Sequence, residues 1–271
     1  MQSPYKKRNI SSYVRLYFLI VAQYIKARLQ YRVDFFISSI GIIFQNITGF
    51  ASLWILFYTI PEFQGWHYYE LVFLYSFAIL SVTPAQMFFD NTWQLSRHTR
   101  EGTFIKYYFR PLNMMFYYMS EVIDLKAFTQ FFFGVYFFIY SSIHLGIQWS
   151  FPLILQTLSL LFASSLIMIS FLVISSSTSF WITQSFAIMS FLSRFREYAR
   201  YPLTIFNSFF RFLFSFIIPI GFIAYYPAQL VLRPYQAKVL PYITPLVGSF
   251  FFALSYWVWS RGVRSWSGTG S

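Results

Sequence analysis

The sequence predicts an all-α fold, that of a polytopic helical membrane protein. Hydrophobic residues make up 57% of the 271 residues and charged residues only 10%, whereas a soluble domain carries about 25% charged residues. Apolar runs of about 20 residues, the length of a helix that crosses a bilayer, recur along the chain. Because these runs are continuous and do not alternate with polar residues, a transmembrane β-barrel is disfavoured.

The charge and the cysteine count narrow the class further. The net charge is +12, but the basic residues cluster at the ends of apolar runs, where they contact lipid head groups and fix topology. We therefore expect the lipid bilayer as a partner and no nucleic acid. Cysteine is absent, which excludes a disulfide framework and a thiolate metal site. No cleavable signal is expected, because the first residues are polar and basic.

Residues 1–34 are predicted to form a cytoplasmic, interfacial amphipathic helix. This segment is basic and contains a single acid, Asp34. The polar face comprises Arg15, Gln23, Lys26 and Gln30, and the apolar face comprises Val14, Phe18, Val21, Ile25 and Leu29. This pattern is typical of a helix lying in the membrane interface, although Leu19 interrupts the polar face. A disordered basic tail is the alternative.

Four membrane spans follow. They are predicted at residues 35–60, 71–89, 127–147 and 151–174, with a kink at Pro84. The loops after the first and third spans contain no Lys or Arg, whereas residues 1–34 and 90–126 are basic. The positive-inside rule therefore places the N-terminus and residues 90–126 in the cytoplasm.

Beyond residue 175 the number of spans is open. Apolar runs occur at residues 178–193, 204–226 and 240–259. If all three cross, the protein has seven spans. The C-terminal tail contains Arg261 and Arg264 and no acid, which favours a cytoplasmic C-terminus and hence six spans.

The middle run is the one expected not to cross. It contains Arg211, Pro219 and Gly221, and Pro227 follows it. Irregular backbone at membrane depth is tolerated only where protein or water covers it. We therefore predict a re-entrant segment over residues 200–238 on the outer side, before the last span. The basic stretch at residues 194–200 argues against this arrangement, because it then lies outside.

The sequence lacks the groups that power transport or catalysis. It has no phosphate-binding loop of the G-x-x-x-x-G-K-[ST] type, so we expect no ATP hydrolysis by this chain. No carboxylate is expected in the middle of a span, where ion-coupled carriers usually need one. The histidines, His67, His98 and His144, fall in separate loops. We therefore predict no catalytic and no metal-binding residues, and energy for any transport must come from elsewhere.

The charged stretch "REGTFIKYYFRPLN" resembles a known loop. It is similar to the loop between the second and third spans of type-2 ABC exporter permeases, and most similar to the small six-span, viologen-exporter-like subgroup. Members carry R-x-G-t-h-x-x-h-L-x-R-P-L, where h is apolar. The residues that match are Arg100, Gly102, Thr103, Phe104, Arg110, Pro111 and Leu112. Tyr108 replaces an aliphatic residue. The segments "YRVDFFISS", "GWHYYEL", "ARYPLTIF…IIPIGFIAYYPAQLVL" and "GVRSWSGTGS" extend the resemblance over nearly the whole chain.

The resemblance implies a single transmembrane permease domain over residues 1–271. Such permeases dimerise, with a second copy or with a paralogous permease, and bind two cytoplasmic ABC ATPase subunits. ATP and Mg belong to those ATPases, so no cofactor is expected on this chain. The implied location is a bacterial-type plasma (inner) membrane, with both termini cytoplasmic. The implied function is export of an unidentified amphiphilic or hydrophobic substrate.

The resemblance also assigns residues 90–126 as the region that couples to the ATPase. Gly102 allows a tight turn, and Pro111 ends any preceding helix. Glu101, Lys106 and Arg110 offer charge-assisted contacts, and Phe104 and Tyr107 offer aromatic anchors for a partner's groove. The predicted coupling residues are Arg97, Arg100, Glu101, Gly102, Thr103, Phe104, Lys106, Tyr107, Arg110, Pro111 and Leu112. A basic loop that only fixes topology is the alternative.

Two further sets of residues are candidates for the transport path. Polar residues of the first and fifth spans are candidate lining: Gln45, Asn46, Thr48, Thr183 and Gln184. Hydrogen bonding between helices explains them equally well. The predicted outer gate comprises Arg211, Pro219, Gly221 and Pro227, although Arg211 can instead snorkel to the interface.

Two other function classes remain open. One is a membrane-embedded enzyme that acts on a lipid-linked substrate, for which Glu121 and Asp124 are the only pair of acids at helical spacing. Anchoring the start of the third span beside Lys126 is the simpler role for this pair. The other class is a secondary carrier, which the expected lack of a mid-membrane acid disfavours.

Overall fold

The computed structural model describes residues 10–28, 30, 32–236 and 239–267, and it is all-α over them. This confirms the predicted fold class. The α-helices are α1 (Ile10–Arg28), α2 (Arg32–Thr59), α3 (Tyr68–Phe89), α4 (Leu95–Arg100), α5 (Met114–Ser120), α6 (Lys126–His144), α7 (Phe151–Ser177), α8 (Ser185–Arg194), α9 (Ser208–Phe212), α10 (Tyr225–Leu232), α11 (Val239–Tyr242) and α12 (Thr244–Ser265). Leu29 and residues 1–9, 237–238 and 268–271, which belong to several predicted segments, lie outside the described residues.

Helix α3 forms the centre of the molecule. Every residue from 71 to 83 is buried, as expected for a helix that is apolar on all sides. It packs against α6 and α7, and α12 packs along α7. Within the described part of the chain, three helical stretches qualify as membrane spans by length and composition: Val33–Thr59, Tyr68–Arg100 and Phe151–Phe180. The chain is therefore a multi-pass membrane protein.

The packing of α7 against α12 requires a glycine. A Cβ atom on Gly248 would collide with the backbone carbonyl of Ala163 on α7. Glycine is the residue that lets two helix backbones approach this closely. The two helices therefore lie in direct backbone contact near the start of α12 and behave as one packed pair.

The connections lie at two ends of this helix bundle. Residues 60–67 and 145–150 form what we call the turn end, and residues 90–125 form the loop end. Helix α1 lies at the loop end, where the rings of Tyr13 and Phe116 meet with centroids 5.0 Å apart. The last helix also finishes there, because Trp266 contacts Phe104. The N-terminal helix, the charged loop and the end of α12 thus share one end, as predicted.

Helix α1 packs against the body of the protein along one stripe. Tyr17, Val21 and Tyr24 pack against a small cluster around Met87 and Ile123. Val14 and Phe18 of the predicted apolar face are exposed. The packed stripe is therefore offset from the centre of the apolar face by roughly a quarter turn, and the location of α1 in the membrane interface stays a prediction. Arg15, Gln23 and Lys26 are exposed, as predicted.

The apolar run at residues 178–193 does not form the continuous span that the sequence predicts. Helix α7 ends at Ser177, a short turn follows, and α8 starts only at Ser185. Ser hydroxyls stabilise this break: Ser185 donates to Ser96 (2.9 Å) and is within 2.8 Å of the Ser179 hydroxyl. Helix α8 has 10 residues, which gives about 15 Å, half of a 30 Å hydrocarbon core.

A second, non-α piece completes this crossing. A 3₁₀ helix, Phe195–Arg200, continues from α8 towards Thr204, whose hydroxyl accepts a hydrogen bond from Trp66 Nε1 (3.1 Å) at the turn end. The broken segment therefore runs from the loop end to the turn end. The count of six crossings stays a prediction, because among the described residues only Val33–Thr59, Tyr68–Arg100 and Phe151–Phe180 qualify as spans.

The next stretch enters and leaves the bundle at the turn end. It descends through α9 and reaches the middle of α7, where Ser164 Oγ donates to the carbonyl of Phe222 (2.9 Å). The chain then returns along α10 to Arg233, which lies beside Glu70 at the turn end. That this stretch is a re-entrant segment on the outer side stays a prediction.

An ion pair holds this segment to α3. Arg233 donates to both carboxylate oxygens of Glu70 (2.8 Å each) and to the carbonyl of Gly65 (2.6 Å). Its guanidinium also lies 4.4 Å from the centre of the Trp66 ring. Glu70 accepts the backbone N–H of His67 (2.9 Å) as well and thereby caps α3. The pair is mostly buried.

We expect Glu70→Gln and Arg233→Gln each to destabilise the protein by about 3 kcal/mol, because each leaves a partly buried charge without its partner. The double variant should lose less than the sum of the two. Melting of the detergent-solubilised protein measures this, with Lys26→Gln on the exposed face of α1 as the control. Additive losses would show that the two side chains do not interact.

Candidate functional site

The charged loop is folded around a left-handed turn. Helix α4 ends at Arg100, Gly102 has φ 71°, and a 3₁₀ helix runs from Thr103 to Tyr107. The Gly102 N–H donates to the carbonyl of Thr99 (3.3 Å), and its own carbonyl accepts from Ile105 (3.3 Å). A positive φ strains any residue with a Cβ. The tight turn predicted at Gly102 is therefore confirmed.

Phe104 anchors the loop to the rest of the protein. Its side chain is fully buried. The ring contacts Phe180 after α7 (centroids 5.2 Å apart) and Trp266 after α12 (5.3 Å). It also contacts Tyr118 of α5 (5.6 Å). The loop is thus fixed through one side chain to the ends of three different helices.

Tyr107 is buried next to Phe104. Its hydroxyl donates to the carboxylate of Glu121, which also pairs with Lys106 at 3.3 Å. Burial, together with this hydrogen bond, raises the pKa of the Tyr107 phenol well above its usual value. The phenol therefore stays protonated and acts as a donor throughout the physiological pH range.

These positions correct one prediction. Phe104 and Tyr107 do not project as anchors for a partner, because both side chains are inside this chain. The exposed apolar side chains of the loop are Ile105 and Phe109, and Phe109 is 77% exposed. The sequence contained one signal for their shared burial. Phe104 and Tyr107 are three residues apart, and this spacing places two side chains on one face of a short 3₁₀ helix.

A basic face remains on the outside of the loop. We define the basic face as Arg97, Arg100, Lys106 and Arg110, all of which are exposed. The side chains of Arg97 and Arg100 have no hydrogen bond or ion pair with any described residue. Phe109 lies beside this face in sequence. Four cations around a protruding aromatic ring offer contacts to an acidic protein surface or to anionic lipid head groups. The remaining predicted coupling residues, Glu101, Thr103, Pro111 and Leu112, lie in the same loop.

Two further contacts join the loop to α12. The Tyr108 hydroxyl donates to the carbonyl of Val263, and its ring stacks on Trp266 with centroids 5.9 Å apart. Asn113 donates from Nδ2 to the Tyr256 hydroxyl (3.0 Å) and caps α5 by accepting from Phe116 N (3.0 Å). The replacement of an aliphatic residue by Tyr108 therefore adds a bond between the loop and the last helix.

The predicted path residues do not come together within one chain. Gln45 and Thr48 are exposed on α2, whereas Asn46 is buried and donates to the carbonyl of Ile42 within its own helix (2.9 Å). Thr183 and Gln184 are exposed in the turn before α8, and not in a span as the sequence suggested. Helix α2 packs on α6 and α3, and α8 packs on α7.

The predicted outer-gate residues lie in the re-entrant segment. Arg211 donates to the carbonyls of Thr204 and Phe206 (3.3 Å each) and so ties two parts of the segment together. A Cβ on Gly221 would meet the Leu203 side chain. Pro219 precedes the 3₁₀ helix at the tip, and Pro227 is buried in α10. These residues shape a packed segment, and a gating role stays a prediction.

The sequence analysis did not predict where the charged residues that follow α8 would lie. Glu197 lies beside Ile79 and Val82, near the middle of α3, although no mid-membrane carboxylate was expected. It pairs with Arg200 (2.9 Å) and Arg196 (3.5 Å). The signal was present in "RFREYAR", but the hydropathy pattern assigned this stretch to an outer loop.

Several other titratable residues have structural contacts. Asp124 pairs with Lys126 (4.0 Å) and caps α6 by accepting its backbone N–H (3.0 Å). The His98 ring contacts the Tyr118 hydroxyl (3.2 Å), and the His144 ring stacks on Tyr69. Among the described residues, no group of three His, Asp or Glu side chains can hold a metal ion.

Comparison with protein families gives one match. A family model described as "ABC-2 family transporter protein" matches residues 18–270, which is nearly the whole chain. Comparisons with curated proteins and with solved structures returned no match.

We expect Phe104→Ala to lower the stability of the permease by about 3–5 kcal/mol, because it leaves a cavity where the ends of three helices meet. Phe109→Ala, on the exposed side of the same loop, should leave the melting temperature unchanged. Melting of both variants in detergent measures this difference. Equal melting temperatures would show that the Phe104 ring does not anchor the loop.

Proposed function

The chain belongs to the ABC-2 transporter family and is a membrane permease subunit rather than an enzyme, and we propose that it serves an ATP-driven exporter. ATP binding and hydrolysis take place on a separate cytoplasmic ABC ATPase. The exported substrate is amphiphilic or hydrophobic. The observation that carries this proposal is the basic face, which is exposed at the loop end and fixed to the helix bundle by Phe104.

Fixing the loop at several points favours a coupling role over a topology anchor. A loop that only sets topology needs basic residues but no fixed shape. This loop has a left-handed turn at Gly102, a buried ring at Phe104 and bonds from Tyr108 to α12. A push on its exposed side therefore moves the ends of α7 and α12, and rigid-body shifts of packed helices are a common route of switching.

In the proposed cycle, two ATPase subunits act on two permeases. The second permease is another copy or a paralogue, and the path lies between the two. ATP binding favours the closed ATPase pair, and the loop transmits that preference to one of two arrangements of the helices. The coupling contact is made by the basic face with Ile105 and Phe109, while Phe104 and Tyr107 act inside the permease.

The rival functions receive less support from the described residues. Glu121, one of the two acids that an enzyme would need, is engaged by Lys106 and Tyr107, and Asp124 caps α6. A secondary carrier needs a titratable acid at membrane depth. Glu197 lies at that depth, but two arginines neutralise it.

The proposed orientation places the loop end in the cytoplasm of a bacterial-type inner membrane. The loop end contains the basic face, Lys126 and the basic end of α12, whereas the loops at residues 61–67 and 145–150 contain no Lys or Arg. Positive charge accumulates on the cytoplasmic side. Both termini are then cytoplasmic.

We expect Phe109→Ala combined with Arg110→Glu to release the ATPase while the permease accumulates normally. Truncating an anchor and reversing a charge at an interface cost about 2–5 kcal/mol, or about a hundredfold in affinity. Co-purification of the ATPase and its substrate-dependent ATP hydrolysis measure the loss. The matched control is Lys26→Glu on α1, at the same end. Full ATPase retention by the double variant would refute the docking role.

The orientation can be tested with single cysteines, because the chain has none of its own. Glu62→Cys and Gln148→Cys, both exposed at the turn end, should react with an impermeant maleimide added to whole cells. Glu101→Cys at the loop end should react only after the membrane is opened. The reverse pattern would place the basic face outside the cell and contradict the proposed function.

A further inference from the structure

We call α8 and the 3₁₀ helix that follows it, residues 185–200, the broken crossing. This segment contains an unusual number of charged residues for one that lies within a helix bundle. Its residues 194–200 include Arg194, Arg196, Glu197 and Arg200, which are three positive charges and one negative charge, a net of +2. The stretch connects α8 to the turn end and has no counterpart in the predicted transport path.

Helix geometry places these charges inside the membrane. Ser185, at the loop end, is hydrogen-bonded to Ser96. At 1.5 Å per residue, Arg194 lies about 14 Å farther along α8. The 3₁₀ helix adds about 12 Å up to Arg200, so the four residues occupy the middle and outer parts of a hydrocarbon core of about 30 Å.

Neighbouring helices give the same depth independently. A narrow cleft of about 10 Å³ lies between Arg196, Glu197 and the middle of α3 at Ile79 and Val82. The Arg200 guanidinium donates to the hydroxyl of Tyr75 (3.1 Å), also on α3. The cleft has room for one water at most, so the inner side of the charged stretch is closed by protein.

The positive charge is only partly compensated. Glu197 serves both Arg196 and Arg200. Arg194 is exposed, and its side chain has no hydrogen bond or ion pair with any described residue. A charged side chain that faces lipid at this depth is costly, and such residues almost always face a partner or a water-filled cavity. The outer side of this stretch therefore does not face hydrocarbon.

The residues around Arg194 are aromatic. Phe191 is 63% exposed, and Phe186 and Tyr198 are also exposed. Ser190, one turn before Arg194, lies at the edge of the same side of α8. Cations flanked by exposed aromatic rings fit a ligand with an anionic group and an apolar body, because the charge and the apolar surface are each complemented.

We propose that the exposed side of α8 and of the following 3₁₀ helix lines the translocation path and binds the anionic group of an amphiphilic substrate at Arg194. This inference rests on the proposed export function and names its substrate class. Glu197 orients Arg196 and Arg200, and Arg200 fixes the stretch to α3 through Tyr75. Arg194 is the cation left free for the substrate.

The rate at which an introduced cysteine is modified measures whether water reaches it. The preference for an anionic or a cationic reagent measures the sign of the local electrostatic potential. Ser190→Cys places the only thiol of the chain one turn from Arg194. Membranes containing the permease with its ATPase are treated with an anionic sulfonatoethyl or a cationic trimethylammonium-ethyl methanethiosulfonate. Each rate is normalised to that of free 2-mercaptoethanol. We expect both reagents to react, with the normalised rates favouring the anionic one.

Charge variants then identify the source of the preference. Arg194→Gln should lower the anionic-to-cationic rate ratio by about fivefold, the effect of one charge about 7 Å away in a wet site. Glu197→Gln, an isosteric change of opposite sign, should raise the ratio. Lys26→Gln, the same loss of charge on α1, should leave it unchanged. Taurocholate, an anionic amphiphile, should slow modification, whereas cationic tetraphenylphosphonium should not.

Three results would overturn the proposal: no reaction of the Ser190→Cys variant, a cationic preference, or protection by tetraphenylphosphonium instead of taurocholate. The modification rates do not depend on coupling. If the ATPase fails to co-purify but the anionic preference holds, the docking proposal fails and the anion site stands. If the ATPase co-purifies normally but Arg194→Gln does not change the anionic-to-cationic rate ratio, the proposal of an anion site fails and the docking proposal stands.

Discussion

Burial of the Phe104 ring is the contact on which the arrangement of the loop end depends. One side chain from a loop fills the space between the ends of α7, α5 and α12. Without it, the loop would be joined to the bundle only through Tyr107, Tyr108 and a few surface bonds. Aromatic clusters combine a large buried area with preferred ring geometry, so this contact fixes the orientation of the basic face as well as its position.

Much of the fold could be predicted because the relevant signals are local. Span positions follow from the length of apolar runs, and the turn at Gly102 follows from the residues that interrupt them. The burial of Phe104 was not predictable in the same way, because the chain contains 37 Phe residues. In a membrane protein, lipid-facing and core-facing surfaces are equally apolar, so hydrophobicity alone cannot distinguish Phe104 from the exposed Phe109.

The break before α8 and the charges after it escaped prediction for a related reason. A hydropathy window averages hydrophobicity over neighbouring residues. Charged residues such as Arg196 and Glu197 lower this average, so the window assigns their stretch to a loop. Their position depends on contacts with α3 that are distant in sequence, such as that between Arg200 and Tyr75. The turn at residues 181–184 likewise depends on Ser96, 89 residues away from Ser185. Non-local hydrogen bonds of this kind decide where a membrane helix ends.

The contact between Tyr108 and Val263 spans 155 residues, and it has a consequence for biosynthesis. A ribosome finishes the charged loop long before it reaches Trp259 and Trp266, at a rate of about 5–20 residues per second. The loop can adopt its final shape only after the last helix has been made and inserted. A truncated or misinserted chain therefore lacks a properly shaped basic face. In the proposed cycle, docking of the ATPase on the basic face therefore requires that α12 has already been made and inserted.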